Sequence, residues 1–318
     1  MVSGENMTSK IAVAGSSGLV GKAVMKKLGY LSLEHVGMSR VDADFLNYES
    51  TRNLIHALKP TCVIDAAAVV GGIKYNSKSP VKFLVENLEI QNNLMRASYE
   101  ANVEKFIFLG SSCVYPRNCP QPIKEEYLLT GELESSNSAY AVAKIAGIEL
   151  IKSYRKQYAK KWISLMPSNI YGPNDSFDLE NSHVIPALIK KFIAAKNANA
   201  PTVEVWGTGK ARREFLFVDD LADAILFCME NYDSAELINI GFGSDITIQE
   251  LANIISEIVG FCGKITFNPD VSDGTPRKLL DSSKILSLGW KPSTPLYDGL
   301  KSTVDWYLKN YSGPKNAN

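Results

Sequence analysis

The sequence predicts an α/β protein: a Rossmann-type doubly wound parallel sheet with a smaller C-terminal lobe. Two observations carry this expectation. Short β-rich runs alternate with helical patterns through the first half of the chain, as βαβ units require. A glycine-rich turn, Gly15-Ser16-Ser17-Gly18-Leu19-Val20-Gly21, joins the first such run to the first helical pattern. A chain of 318 residues, 45% hydrophobic, holds enough apolar material for one large domain or two cooperating lobes.

Taken in order, residues 11–14 read as a buried strand, 18–28 as a helix and 35–38 as a second strand. A helix closes at 54–58 ahead of Pro60, and 62–66 is a third strand. Ser79-Pro80 is a helix start, with serine as cap and proline in the first turn, and that helix runs to about residue 101. Residues 105–109 form the next strand, and a long helix follows over 139–158 after a polar loop. A strand at 163–166 is stopped by Pro167. Beyond it the pattern loosens into a helix at 185–195, a strand at 203–206, strands at 215–218 and 237–240 flanking a helix at 221–230, and a final helix-rich stretch. The expected plan is a dinucleotide-binding domain over residues 8–166, rejoined by 215–241, and a lobe of 167–214 and 242–318 that closes a cleft over a second ligand. The polar residues 1–10 read as a short frayed extension.

Charge excludes some partners. Lys plus Arg and Asp plus Glu both number 34, which gives no global reason to expect nucleic acid or an anionic membrane. No apolar run approaches the roughly 20 residues of a membrane-spanning helix, and no secretory signal opens the chain. The five cysteines are scattered without paired ligand spacing, so neither a zinc site nor any other metal is expected. Cys62 and Cys228 lie in apolar stretches as reduced thiols, which fits a cytoplasmic protein.

The glycine turn suits a pyrophosphate, because glycines allow close backbone approach and the helix N terminus favours negative charge. Standing alone it also reads as an ordinary strand-to-helix turn. After the second strand, where many NAD enzymes carry an acidic residue, this chain has Met38-Ser39-Arg40. A guanidinium can hold a 2′-phosphate, so NADP(H) is expected over NAD(H), with a plain surface arginine as the competing reading. Tyr140-Ala-Val-Ala-Lys144 places a phenol and an ammonium on one helical face. A free phenol has a pKa of about 10, and a neighbouring cation is expected to lower it toward working range. Ser111, at the end of the preceding strand, is placed to hydrogen-bond a carbonyl or alkoxide.

With these motifs in this order the chain resembles the extended short-chain dehydrogenase/reductase superfamily. Asp65-Ala66-Ala67, Asn87, Pro167-Ser168-Asn169-Ile170-Tyr171-Gly172-Pro173, Arg213-Glu214-Phe215 and Val218-Asp219-Asp220 continue the match. Three segments make it similar, within the superfamily, to the GDP-4-keto-6-deoxy-D-mannose 3,5-epimerase-4-reductases. They are Ala68-Val69-Val70-Gly71-Gly72-Ile73, Gly110-Ser111-Ser112-Cys113-Val114-Tyr115-Pro116 and Asn181-Ser182-His183-Val184-Ile185-Pro186-Ala187-Leu188. The stretch from Asp273 to Asp281 is similar too.

That resemblance implies roles. Ser111, Tyr140 and Lys144 would reduce a 4-keto sugar, and Cys113 and His183 would exchange protons at its C3 and C5. NADP(H) would lie against the glycine turn (Gly15 to Gly21), Arg40, Ala66, Ala67 and Asn87. It would continue along Leu109, Gly110, Ser112, Tyr140, Lys144, Pro167, Ser168, Asn169, Ile170 and His183. The GDP-sugar would meet Ser111, Ser112, Asn169, Val184, Leu188, Lys191, Trp206, Arg213 and Lys278. Without the family, Cys113 reads as a half-buried structural thiol, His183 as a polar loop residue, Lys191 as a solvated helix position and Trp206 as a core aromatic. One departure is Ser17, where some relatives carry arginine, which leaves Arg40 bearing most of the NADP(H) expectation. The helices at 80–101 and 139–158 build a two-fold interface in relatives, which implies a homodimer. The alternatives are a sugar-nucleotide 4-epimerase or 4,6-dehydratase of the same superfamily, and a non-catalytic dinucleotide sensor.

Overall fold

The structure is a computed structural model that describes residues 10–178 and 182–311. Asn181 of the family segment, the first nine residues and the last seven lie outside the described residues. The elements run β1 (Ile11–Ala14), α1 (Leu19–Tyr30), β2 (His35–Met38), α2 (Tyr48–Leu58), β3 (Cys62–Asp65), α3 (Ile73–Lys78), α4 (Pro80–Glu100) and β4 (Lys105–Leu109). Next come α5 (Ser138–Tyr158), β5 (Ile163–Pro167), β6 (Asn169–Tyr171), α6 (Val184–Asn197), β7 (Thr202–Trp206), β8 (Arg212–Phe217), α7 (Val218–Asn231) and β9 (Ile238–Ile240). The chain ends with β10 (Asp245–Thr247), α8 (Ile248–Val259), β11 (Lys264–Asn268), β12 (Arg277–Lys278), α9 (Ser283–Ser287) and α10 (Leu296–Tyr311).

Six parallel strands form the large sheet in the order β2-β1-β3-β4-β5-β9. The strands are short and apolar on both faces, because helices cover both sides. Alternate residues divide between two cores: Ile11, Val13, Ile64 and Ile107 face α1 and α7, while Ala12, Val63, Phe106 and Phe108 face α4 and α5. The sheet's order reverses between β1 and β3, so the switch point falls beside the glycine turn.

The C-terminal lobe has its own core around Ile189, Phe192, Phe215, Leu251, Ile255 and Leu300. Its sheets are β10-β8-β12 with β6 paired to β8, and a parallel pair of β7 and β11. The return to the large sheet expected over 215–241 is made by α7 and β9; β8 belongs to the smaller sheet. Strand β5 runs through Pro167, which pairs with Ile240. Proline stands at the first position of α4 as expected, but Ser79 makes no side-chain capping bond. Among the described residues no helix is long and apolar enough to cross a membrane.

Candidate active site

The site gathers at the carboxyl ends of β1, β3, β4 and β5. At the end of β1, Gly15 adopts φ +75°, and a Cβ there would stand 2.6 Å from the Ala66 carbonyl oxygen. Only glycine therefore lets the turn lie against the end of β3. Gly21 is as tightly placed, with a virtual Cβ 2.1 Å from the Gly15 carbonyl oxygen. Helix α1 starts after Gly18 with no side-chain cap, so its first N–H groups lie open to an anionic ligand. Ser39 Oγ is engaged by Asp42 at 2.7 Å, whereas Arg40 is exposed one residue past Ser39.

Asn87 stands apart from a simple ligand. Its Oδ1 accepts the Val69 N–H at 2.9 Å, and its Nδ2 donates to the carbonyls of Val69 and Phe83. The side chain is buried and holds the Ala66–Val69 loop, beside the position expected for the cofactor. Ala67, Leu109, Gly110, Ser112, Pro167 and Ser168 are all buried, and Ser168 Oγ has no hydrogen-bond partner among the described residues. Asn169 Nδ2 donates to the Glu214 carbonyl at 2.8 Å, tying β6 to β8, and Ile170 pairs with Leu216.

Ser111 leaves β4 in an extended conformation, and its Oγ accepts the Cys113 N–H at 3.2 Å. Tyr140 stands in the first turn of α5, close enough for the Ser111 hydroxyl to act on its pKa. Burial raises the Tyr140 pKa, the Cys113 sulfur adds to that rise, and Ser111 opposes it. The lowering expected from Lys144 is not the net outcome, because burial prevails. Lys144 is 3% exposed, with Nζ 4.7 Å from the centre of the Phe108 ring and 6.0 Å from that of Tyr140. Burial lowers the Lys144 pKa, and Asp65 raises it in partial compensation. Asp65 is fully buried at the end of β3, and its register partner is Phe108, the ring beneath Lys144.

Cys113 Sγ accepts from Asn137 Nδ2 at 3.2 Å and from Lys278 Nζ at 3.6 Å. Lys278, expected at a diphosphate, thus contacts the sulfur. Arg213 donates to the carbonyls of Asp273 and Arg212, and burial lowers its pKa. His183 precedes α6 and is exposed, yet the surrounding protein lowers its imidazole pKa by desolvation. It makes no hydrogen bond to the Cys113 cluster among the described residues. Val184 is half-buried, and Leu188 is packed in the lobe core with Ile185 and Phe192.

Trp206 is 44% exposed, which removes the core-aromatic reading. Lys191 Nζ lies 4.6 Å from its ring centre and Lys74 Nζ 5.7 Å, the latter from α3 across the cleft. Lys74 and Asn137 escaped the sequence reading. Lys74 directly follows the Gly71-Gly72-Ile73 segment, and Asn137 lies three residues before Tyr140, but neither position carries a spacing signal of its own.

A parallel sheet with a glycine turn at its switch point, and serine, tyrosine and lysine at its carboxyl edge, defines a dinucleotide-dependent enzyme of the short-chain dehydrogenase/reductase type. The model of the NAD dependent epimerase/dehydratase family matches residues 11–241. GDP-L-fucose synthase 1 of Arabidopsis thaliana is 50% identical over 306 residues, covering 95% of this chain and 94% of that protein. The GDP-L-fucose synthase of Escherichia coli is 42% identical, over 95% and 97%. Among solved structures, a GDP-L-fucose synthetase of Naegleria fowleri bound to NADP superposes with a TM-score of 0.88 at 31% identity, covering 96% and 95%. The chain belongs to the NAD dependent epimerase/dehydratase family and, within it, to the GDP-L-fucose synthase group.

Proposed function

We propose that the protein converts GDP-4-keto-6-deoxy-D-mannose to GDP-L-fucose by epimerisation at C3 and C5 followed by NADPH-dependent reduction at C4. The observation that carries this reading is Cys113, an acid–base group set against the Ser111–Tyr140 pair. A plain reduction does not need it. The glycine turn, the uncapped start of α1 and the exposed Arg40 fit the diphosphate and 2′-phosphate of NADP(H). When bound, NADPH supplies the hydride.

The residues then divide the work. Ser111 and Tyr140 hydrogen-bond the 4-keto oxygen, drawing electron density from C3 and C5 and steadying each enolate. Cys113 and His183 take and return protons at these carbons. Tyr140, kept protonated by burial, delivers its proton to the oxygen as C4 is reduced. Lys144, backed by Asp65, holds the nicotinamide ribose. Trp206 offers an apolar wall, and Lys191 and Arg213 offer cations to the GDP moiety.

We also infer a cytoplasmic homodimer. Helices α4 and α5 pack along each other and leave a groove between Arg96, Leu150 and Tyr154 that suits a two-fold partner; a monomeric mass in solution is the contrary result.

The test is incubation with GDP-4-keto-6-deoxy-D-mannose and NADPH in heavy water. Deuterium at C3 and C5 of the product, with stoichiometric NADPH oxidation, is the expected result. Reduction without deuterium would make the protein a plain 4-reductase. That second reading has a specific motive: a GDP-6-OMe-4-keto-L-xylo-heptose reductase from Campylobacter jejuni superposes with a TM-score of 0.91 at 36% identity.

A further inference from the structure

Asp65 is a carboxylate where the large sheet has no evident use for one. It ends β3 with its side chain fully buried. Oδ1 accepts the Ala67 N–H at 3.1 Å, and among the described residues Oδ2 has no hydrogen-bond partner. A carboxylate left in this way is costly unless a cation stands near it. The fold supplies one. Successive side chains of a strand alternate between faces, so Asp65 shares the face of Val63, under α4 and α5. Its register partner Phe108 lies on that face too. From α5, Lys144 stands over the same ring, with Nζ 4.7 Å from its centre. Lys144 is itself buried, and among the described residues its ammonium donates to no protein group.

Two opposite charges without hydrogen-bonded partners thus meet one phenyl ring. Among the described residues no direct ion pair joins them, but a dry interior screens charge poorly. Burial lowers the Lys144 pKa and Asp65 opposes it; burial raises that of Asp65 to about 6 and Lys144 opposes it. The other elements around the lysine bring no second carboxylate. Gln91 of α4 is neutral and donates to the Ala143 carbonyl at 2.7 Å, β4 brings Phe108, and Tyr140 and Cys113 are the remaining titratable groups. We propose that Asp65 is a positioning residue for Lys144: its carboxylate holds the buried lysine as an ammonium ion before the cofactor arrives, ready to donate to the nicotinamide ribose. This rests on the reading of Lys144 as the residue that holds the ribose, and not on the epimerisation.

Asp65→Asn is the discriminating change, because an amide oxygen still accepts the Ala67 N–H while the charge is gone. NADPH fluorescence without sugar gives Kd as a function of pH. Below about pH 6 the wild-type carboxyl is itself protonated, so the two proteins should agree within about threefold. Above neutrality Lys144 of the variant gives up its proton at a lower pH than in wild type, and NADPH should bind about tenfold more weakly by about pH 9. Lys144→Met should lack this alkaline limb, and Asp65→Asn should add no pH dependence in that background. A second readout needs no cofactor. At about pH 8, Asp65→Asn should raise the urea midpoint more in the Lys144→Met background than in wild type, because the carboxylate there has lost its counter-charge. Binding that is unchanged at every pH, or weakened by one constant factor, would make Asp65 a support of the loop after β3 and overturn the proposal. Equal midpoint shifts in both backgrounds would overturn it as well. Should Lys144→Met bind NADPH like wild type at every pH, the reading of Lys144 itself fails, and the urea cycle alone decides whether the two charges are coupled.

Discussion

At Tyr140 two requirements meet. Reduction of a ketone needs a proton donor that still holds its proton when hydride arrives, and burial keeps this phenol neutral. Its neighbour Ser111 acts on the same phenol. Tyr140→Phe removes that proton while sparing the ring, which packs edge-on to Phe83. The expected loss is about 10²–10⁴ in kcat, with NADPH binding followed by fluorescence little changed. A loss of less than tenfold would remove Tyr140 from the proton path. The tyrosine–lysine spacing made this pair legible from sequence, because i and i+4 on one helix are neighbours whatever the tertiary fold. The partners of Cys113 were not legible in the same way. Lys278 is separated from it by 165 positions, and only the return of β12 against β8 brings the two together.

Helix α5 carries Tyr140 and Lys144, and its seat on the sheet decides where they point. Gly147, one turn beyond Lys144 and buried, faces the Phe108 ring. A Cβ there would meet Phe108 Cζ at 2.4 Å and Gln91 Nε2 at 3.0 Å. Gly147→Ala gains about 1 kcal/mol of helix propensity. Against that stands overpacking on a fully buried ring, which costs about 1–3 kcal/mol. An approach of 2.4 Å to a ring carbon puts the cost toward the upper end of that range, so urea denaturation is expected to show a net loss of up to about 2 kcal/mol. Since Lys144 rests on that same ring, kcat falls with it. An unchanged midpoint would mean that α5 can lift off Phe108 freely. The long helices and most strands of the large sheet were readable because they run four residues or more with a consistent pattern, while β9, at three, was marked by the apolar run around it. Strands β10 and β12 were not: at three and two residues they have no periodicity to read, and they exist through pairing with β8.

At the scale of the whole molecule, the two lobes share a feature that composition conceals: a neutral net charge hides carboxyl groups buried far apart. Asp65 ends a strand of the large sheet, Asp175 lies on the crossing into the C-terminal lobe, and Glu214 sits in the smaller sheet. Burial pushes them up to about 6, about 7 and about 7 respectively. The periodicity of the sequence could not reveal this, and it likewise put β8 in the wrong sheet, because apolar strands of both sheets look alike. The consequence for stability has a definite sign. An acid whose pKa is higher folded than unfolded binds more protons in the folded state between the two values, so stability falls as pH rises from about 4 to about 7 and then levels. Asp175 is the cleanest probe, since among the described residues one of its oxygens has no hydrogen-bond partner and the other accepts only the Ser176 N–H. Asp175→Asn removes the buried charge. It is expected to stabilise the protein by about 1–3 kcal/mol at about pH 8. The gain should shrink as the pH falls toward about 4 and vanish below it, where the wild-type carboxyl is protonated in both states. Urea melts of the two proteins across that range test it; a difference that stayed constant with pH would show that Asp175 does not titrate with folding.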